Sequence, residues 1–219
     1  MVEVWLIRHG LTDWNVAGRW QGHTDIPLND DGRAQAHRVA AYLRVVHAKT
    51  PFDAILSSDL SRASATAATI GMALNLPVKQ DERFREENYG LLEGHTAEEI
   101  KADPILSSVW AERKQRDCNG SHTDDGSESR QDSLDRTAAA FQWLDKAFPH
   151  MRVVVVTHGG FIINCFRHVH GFSAAYPVVK EHKCPKIANT SISIVMKSTS
   201  DGKRKEAWRG LQWGTRPHA

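Results

Sequence analysis

The sequence predicts an α/β fold: a three-layer α/β/α sandwich around a mostly parallel central sheet. Three observations carry that expectation. An apolar segment through Leu6-Ile7 ends abruptly in Arg8-His9-Gly10, and Val153-Val154-Val155-Val156-Thr157 runs into His158-Gly159-Gly160 in the same way. Buried parallel strands read as short apolar runs of this kind. Strand-like and helix-like segments then alternate for most of the length, as they do when helices cover both faces of a sheet.

The elements follow in order. After the first strand, residues 12–32 are rich in Gly, Asp, Asn and Trp, which suits a loop on the rim of the sheet. Asn29 can cap the next helix, with Asp30 and Asp31 in its first turn and Ala36, Val39, Leu43 and Val46 on one face. Phe52 to Leu56 reads as a second strand, ending in Ser57-Ser58-Asp59. A helix from Leu60 to Leu74 carries Arg62 in its first turn. Residues 81–99 mix charge with Tyr89-Gly90 and Glu93-Gly94, so they read as a functional loop leading into a short helix. The stretch 115–128 is the most loop-like of all.

A long helix from Ser129 to Phe148 places Leu134, Ala138, Phe141 and Leu144 at helical spacing. The strand at 152–157 and a glycine-started helix at 160–170 come next. Thr190 to Met196 and Lys205 to Leu211, around Ser200-Asp201-Gly202, read as a hairpin on the sheet edge. Residues 1–219 therefore form one domain, with a cap insertion around 95–128.

Composition narrows the function. The chain has 219 residues, 41% apolar and 25% charged, enough for one domain with a sizeable core. A formal charge of +2 leaves no footprint for nucleic acid, and Lys203-Arg204-Lys205 reads as a solvated hairpin tip. No apolar run is long enough to span a membrane, and the apolar start lacks the length and basic leader of a secretion signal. Three cysteines without a CxxC pair fit a reducing compartment, so a cytoplasmic location is expected. Cys165, His168 and His170 do not make a metal site, because residues 168 and 170 of a helix point to nearly opposite sides. The edge hairpin leaves room for a homodimer.

Open α/β sheets collect their chemistry at the carboxyl ends of strands. Two histidines delivered there, one beside an arginine and both beside glycines, point to an anion. A phosphate monoester demands donors fixed around three oxygens and a proton for the departing alkoxide. Arg8 and Arg62 supply forked donors matched to phosphate. Gly10, Gly159 and Gly160 let backbone N–H groups approach an anion, and Thr12 and Asn15 add neutral donors. A neutral His9 can attack phosphorus and split hydrolysis into two easier steps. His158 would stabilise charge on the equatorial oxygens, cationic or as one half of a coupled pair. The proton donor should be a carboxylic acid that keeps its proton beside a phosphate dianion; Glu86 and Glu87 both qualify.

These residues resemble the signature of the histidine phosphatase superfamily, with its phosphoglycerate-mutase-like fold. The resemblance begins at Leu6–Asn15 and runs in order through Gly22–Leu28, Ser57–Ala63, Glu86–Gly94, Gly126–Ser129 and Val156–Gly159. It implies a phosphorylated His9, with Arg8, Arg62 and His158 around the phosphate. By its spacing to the Tyr89-Gly90 pair it also implies Glu86 as the acid. Asn15, Gln21 and Gly22 fall where members of that family touch substrate, and Tyr89 and Gly159 stand beside its acid and second histidine. No metal or other cofactor is implied.

The expected activity is a phosphatase acting on a small phosphorylated metabolite, of sugar phosphate or phosphoglycerate type. The alternatives are a cofactor-dependent phosphoglycerate mutase and a non-catalytic module that binds phosphorylated ligands. Such mutases carry other residues at the positions of Glu93, Ala97, Gly160 and Ala111-Glu112, which favours hydrolysis. Arg113, Lys114 and Arg116 keep the mutase open as binders of a second acidic group.

Overall fold

The computed structural model describes residues 1–119, 127–172, 184–197 and 207–219. Among them, β1 (Glu3–Arg8), β2 (Ala54–Ser57), β3 (Val78–Gln80), β4 (Arg152–Thr157), β5 (Ile192–Lys197) and β6 (Trp208–Thr215) form one sheet in the order β3-β2-β4-β1-β5-β6. The first four in that order pair in parallel; β5 and β6 close one side antiparallel. The mostly parallel sheet is as expected.

Side-chain alternation then separates two cores. Trp5, Ile7, Ile55, Val154 and Val156 face α2 (Asp30–Lys49) and α3 (Ser61–Leu74), burying Val39, Leu43, Ala63, Ala67 and Ile70. Leu6, Leu56, Val153 and Val155 face the other way, against Phe141 and Leu144 of α6 (Arg130–Ala147) and Phe161 and Ile162 of α7 (Gly159–His170). The short α1 (Asp13–Val16), α4 (Ala97–Ala102) and α5 (Pro104–Asn119) lie in the segments that follow β1 and β3.

The predicted capping is present: Asn29 accepts from the Gly32 N–H, and Ser129 forms a capping box with Asp132. Several boundaries differ from expectation. The second strand starts at Ala54, and Phe52 instead packs edge-on against Trp5. The edge strand β3 was not anticipated, because Val78-Lys79-Gln80 is too short and too exposed to show alternation. Helix α5 runs to Asn119, five residues into the stretch expected as loop; Asp103 receives the N–H groups of Ile105 and Leu106 at its start. Residues 120–126 and the hairpin tip Ser200-Asp201-Gly202 with Lys203-Arg204-Lys205 lie outside the described residues. No helix among those described is long and apolar enough to cross a membrane.

Candidate active site

Sheet register brings the two histidines together. Arg8 of β1 pairs with Thr157 of the neighbouring β4, so the next residue of each strand, His9 and His158, emerges at the same level. The His9 N–H donates to the Thr157 carbonyl at 2.9 Å, and the two imidazole centroids are 5.2 Å apart. On the far side of β4, Ser57 of β2 pairs with Val156, and the chain then enters α3 with Arg62 in its first turn. A cavity of about 220 Å³ opens there, lined by Arg8, His9, Asn15, Arg19, Trp20, Gln21, Gly22, Arg62, Glu86 and Tyr89. His158 is fully buried against His9.

Besides His158, two expected site residues do not line this cavity. Thr12 is fully buried; its hydroxyl accepts from the Asn15 N–H at 3.1 Å and donates to Gln21 Oε1 at 3.0 Å. It therefore orients two cavity amides from behind. Gly159 lies beside Arg8, and a Cβ there would make an ordinary contact 3.4 Å from the guanidinium Nε. The two other glycines do need correction. A Cβ on Gly10 would sit 2.4 Å from the Gly32 carbonyl oxygen, and its N–H donates to Thr66, so Gly10 serves helix packing. The anion approached by the amino end of α7 is the protein's own carboxylate. Glu86 accepts from the N–H groups of Gly160 at 3.0 Å and Phe161 at 3.1 Å, and a Cβ on Gly160 would collide with Glu86 Oε1.

Geometry separates the two candidate acids. Glu86 lines the cavity, whereas Glu87 is ion-paired with the buried Arg113, which also lies 5.2 Å over the Tyr89 ring. Arg113 is thereby committed and does not offer itself to a second acidic group of a substrate. Lys114 rests 4.7 Å over Trp110, and the side chain of Arg116 lies outside the described residues.

His9 Nδ1 lies 2.7 Å from the Gly10 carbonyl, which can only accept, so the proton belongs on Nδ1 and the lone pair on Nε2. Burial, then the charges of Arg62 and Arg8, hold His9 well below the ordinary imidazole value. His158 is held down by burial and Arg62, with His9 and Arg8 adding to it, so a cationic His158 is not what this pocket favours. Burial lowers both guanidiniums, while Glu86 pulls each back up. Burial and the two glutamates raise Tyr89, which keeps its phenolic proton. Arg8 Nε, Arg62 Nε and both ring nitrogens of His158 are buried without a protein hydrogen-bond partner. Buried polar groups are normally paired, and an oxyanion beside them would pair the two guanidinium Nε groups and one nitrogen of His158.

A stability prediction follows. Both folded-state imidazoles titrate below their unfolded value of about 6.5, so below that pH the unfolded chain binds protons that the folded chain refuses. Stability is full above about pH 6.5 and falls as the solution is acidified, by up to about 1.4 kcal/mol per pH unit for each histidine. Urea unfolding between pH 7.5 and 5.5 measures the slope. His158→Gln removes one titrating group and should flatten it; an unchanged slope would show that His158 is not the depressed group.

Sequence reasoning missed several residues that hold this site. Glu93 accepts from the N–H groups of His23, Thr24 and Tyr89 and from the Thr24 hydroxyl. The loop it ties down supplies the Gly22 and Thr24 carbonyls that grip Arg62 at 2.7 and 2.9 Å. Asn189 donates to the carbonyls of His9 and Gly10 and to Asn15 Oδ1. Arg19 makes a two-pronged pair with Glu99 at the cavity mouth. None belongs to a repeating pattern; Arg19 and Glu93 stand in the polar rim and acid loops, and nothing in the sequence marks Asn189.

Comparison with known proteins agrees with this architecture. The sequence profile of the histidine phosphatase superfamily (branch 1) matches residues 4–209. Phosphoglycerate mutase-like protein 4 of Arabidopsis thaliana is 34% identical over 219 residues, covering 99% of this chain and 86% of that protein. The glucosyl-3-phosphoglycerate phosphatase of Mycobacterium tuberculosis is 37% identical over 160 residues, 72% of this chain and 70% of its own. A crystal structure of phosphoserine phosphatase from Entamoeba histolytica in complex with phosphoserine superposes with a TM-score of 0.77 at 27% identity, covering 100% of this chain and 99% of the other. The chain belongs to the histidine phosphatase superfamily, branch 1.

Proposed function

We propose that this protein, a phosphoric monoester hydrolase, cleaves the phosphate ester of a small metabolite in two steps through a phosphohistidine on His9. The observation that carries the reading is the convergence of Arg8, His9, Arg62 and Glu86 on one small cavity, with His158 against His9. Relatives that act on phosphoserine and glucosyl-3-phosphoglycerate support a substrate of that size.

In the first step the Nε2 lone pair of His9 attacks phosphorus. The bond from phosphorus to the ester oxygen breaks, its electron pair stays on that oxygen, and Glu86 delivers the proton. Arg8 and Arg62 take up charge on the transferring group, with His158 behind it. In the second step water attacks the phosphohistidine, Glu86 takes the water proton, and the phosphorus–nitrogen pair returns to Nε2. Asn15, Gln21, the Gly22 backbone and Tyr89 form the wall that meets the substrate.

A panel of phosphorylated three- to six-carbon metabolites tests the proposal by phosphate release, in the presence and absence of a bisphosphate primer. Steady, primer-independent release is expected. Primer-dependent isomerisation without net release would make the protein a mutase, and binding without turnover across the panel would make it a ligand-binding module. The commitment of Arg113 to Glu87 favours hydrolysis, because it takes away a cation that a mutase would use.

A further inference from the structure

The segment that carries Glu86 runs between two short 3₁₀ turns, Glu82–Phe84 and Gly90–Leu92, with no strand to hold it. A guanidinium from α6 spans its carbonyls instead. Arg136 donates through Nη1 to the carbonyls of Arg83 at 3.0 Å and Arg85 at 2.8 Å, and through Nη2 to that of Glu86 at 3.1 Å. Its remaining donors go to Glu128, Nε at 2.7 Å and Nη2 at 2.8 Å, so all five N–H groups are used. The same guanidinium lies 5.8 Å over the ring of Phe161, whose N–H holds the Glu86 carboxylate. Glu128 in turn exchanges two backbone-directed bonds with Asn88, just beyond the acid. His23 Nε2 adds a second contact to the Glu86 carbonyl at 2.9 Å.

We propose that Arg136, braced by Glu128, is a positioning residue for the proton donor: it fixes the Glu86 peptide at one end while α7 fixes the carboxylate at the other. The proposal rests on Glu86 acting as the acid. A planar five-donor fork can bridge three carbonyls and a carboxylate at once; a lysine ammonium cannot. Misplacing an acid by a fraction of an ångström costs most where the leaving oxygen most needs a proton.

The leaving group therefore separates positioning from general structural support. Kinetics of Arg136→Lys are compared on glycerol 2-phosphate, whose alkoxide must be protonated, and 2,4-dinitrophenyl phosphate, whose phenolate need not be. The expected result is a loss in kcat/KM of about tenfold or more on the alkyl ester and within about threefold of wild type on the aryl ester. Equal losses on both esters, a larger loss on the aryl ester, or no loss on either would each overturn the proposal. Glu128→Gln, which leaves Arg136 in place but weakens its brace, carries the same comparison if Arg136→Lys does not fold. Glu86→Gln run alongside distinguishes the two failures: without an alkyl-selective loss there, it is the assignment of the acid that falls.

Discussion

His9→Ala should lower kcat/KM by about a thousandfold or more, and by a similar factor on alkyl and aryl phosphates alike. The nitrogen that attacks phosphorus is gone, and no choice of leaving group restores it. Substrate binding should survive, because Arg8 and Arg62 come from different elements and neither depends on the imidazole: Arg8 donates to the Ile187 carbonyl, and Arg62 to Gly22 and Thr24. Steady-state kinetics on both ester types, with phosphate affinity measured by calorimetry, check the two halves of the prediction. Retained turnover would place the nucleophile elsewhere, and lost affinity with lost turnover would indicate a collapsed pocket.

The second large effect is at Arg62, which is fully buried and whose charge is the foremost one holding both histidines down. Arg62→Met should cut kcat/KM by about a hundred- to a thousandfold, the range for losing one preorganised donor at a transition-state oxygen. It should also let the His9 and His158 titrations, followed by NMR of the ring protons, move upward. Folding should weaken by about 2 kcal/mol, since the Gly22 and Thr24 carbonyls lose their donors. Arg62→Lys separates charge from shape: the cation persists and keeps the imidazoles low, while the fork that joins rim to phosphate is lost and activity falls. Histidines that titrate unchanged in Arg62→Met would contradict this electrostatic picture.

The frame of the site was legible in the sequence because it is made by strand ends. Val153 to Val156 and the run before Arg8 are apolar enough to announce buried parallel strands, and their last residues had to share an edge of the sheet. Adjacency was not legible: that β4 lies between β1 and β2, so that His9, His158 and Arg62 meet, is a property of strand order. Residue types pointed to a carboxylic acid at 86 or 87 without choosing. Arg113 supplies the physical distinction, and it comes from a helix whose polar composition made part of it read as loop.

Local chemistry was misread where a residue type fits two jobs. Glycines beside His9 and His158 read in the sequence as anion-binding amides. In the structure Gly10 makes room for α2 and Gly160 for Glu86. Thr12 has the chemistry to meet substrate but is spent on capping α1 and orienting Gln21. The supporting residues Glu93, Asn189 and Arg136 act through backbone groups far away in sequence, and such contacts leave no spacing to find.

All of the proposed chemistry passes through one covalent species on one nitrogen. Mixing the protein with substrate, quenching in alkali so that the phosphorus–nitrogen bond survives, and mapping the modified peptide by mass spectrometry tests it directly. The expected result is one phosphoryl group on His9, formed and lost at rates that match turnover and absent from His9→Ala. A phosphoryl group on another residue, or turnover with no phosphorylated protein at any time, would contradict the mechanism.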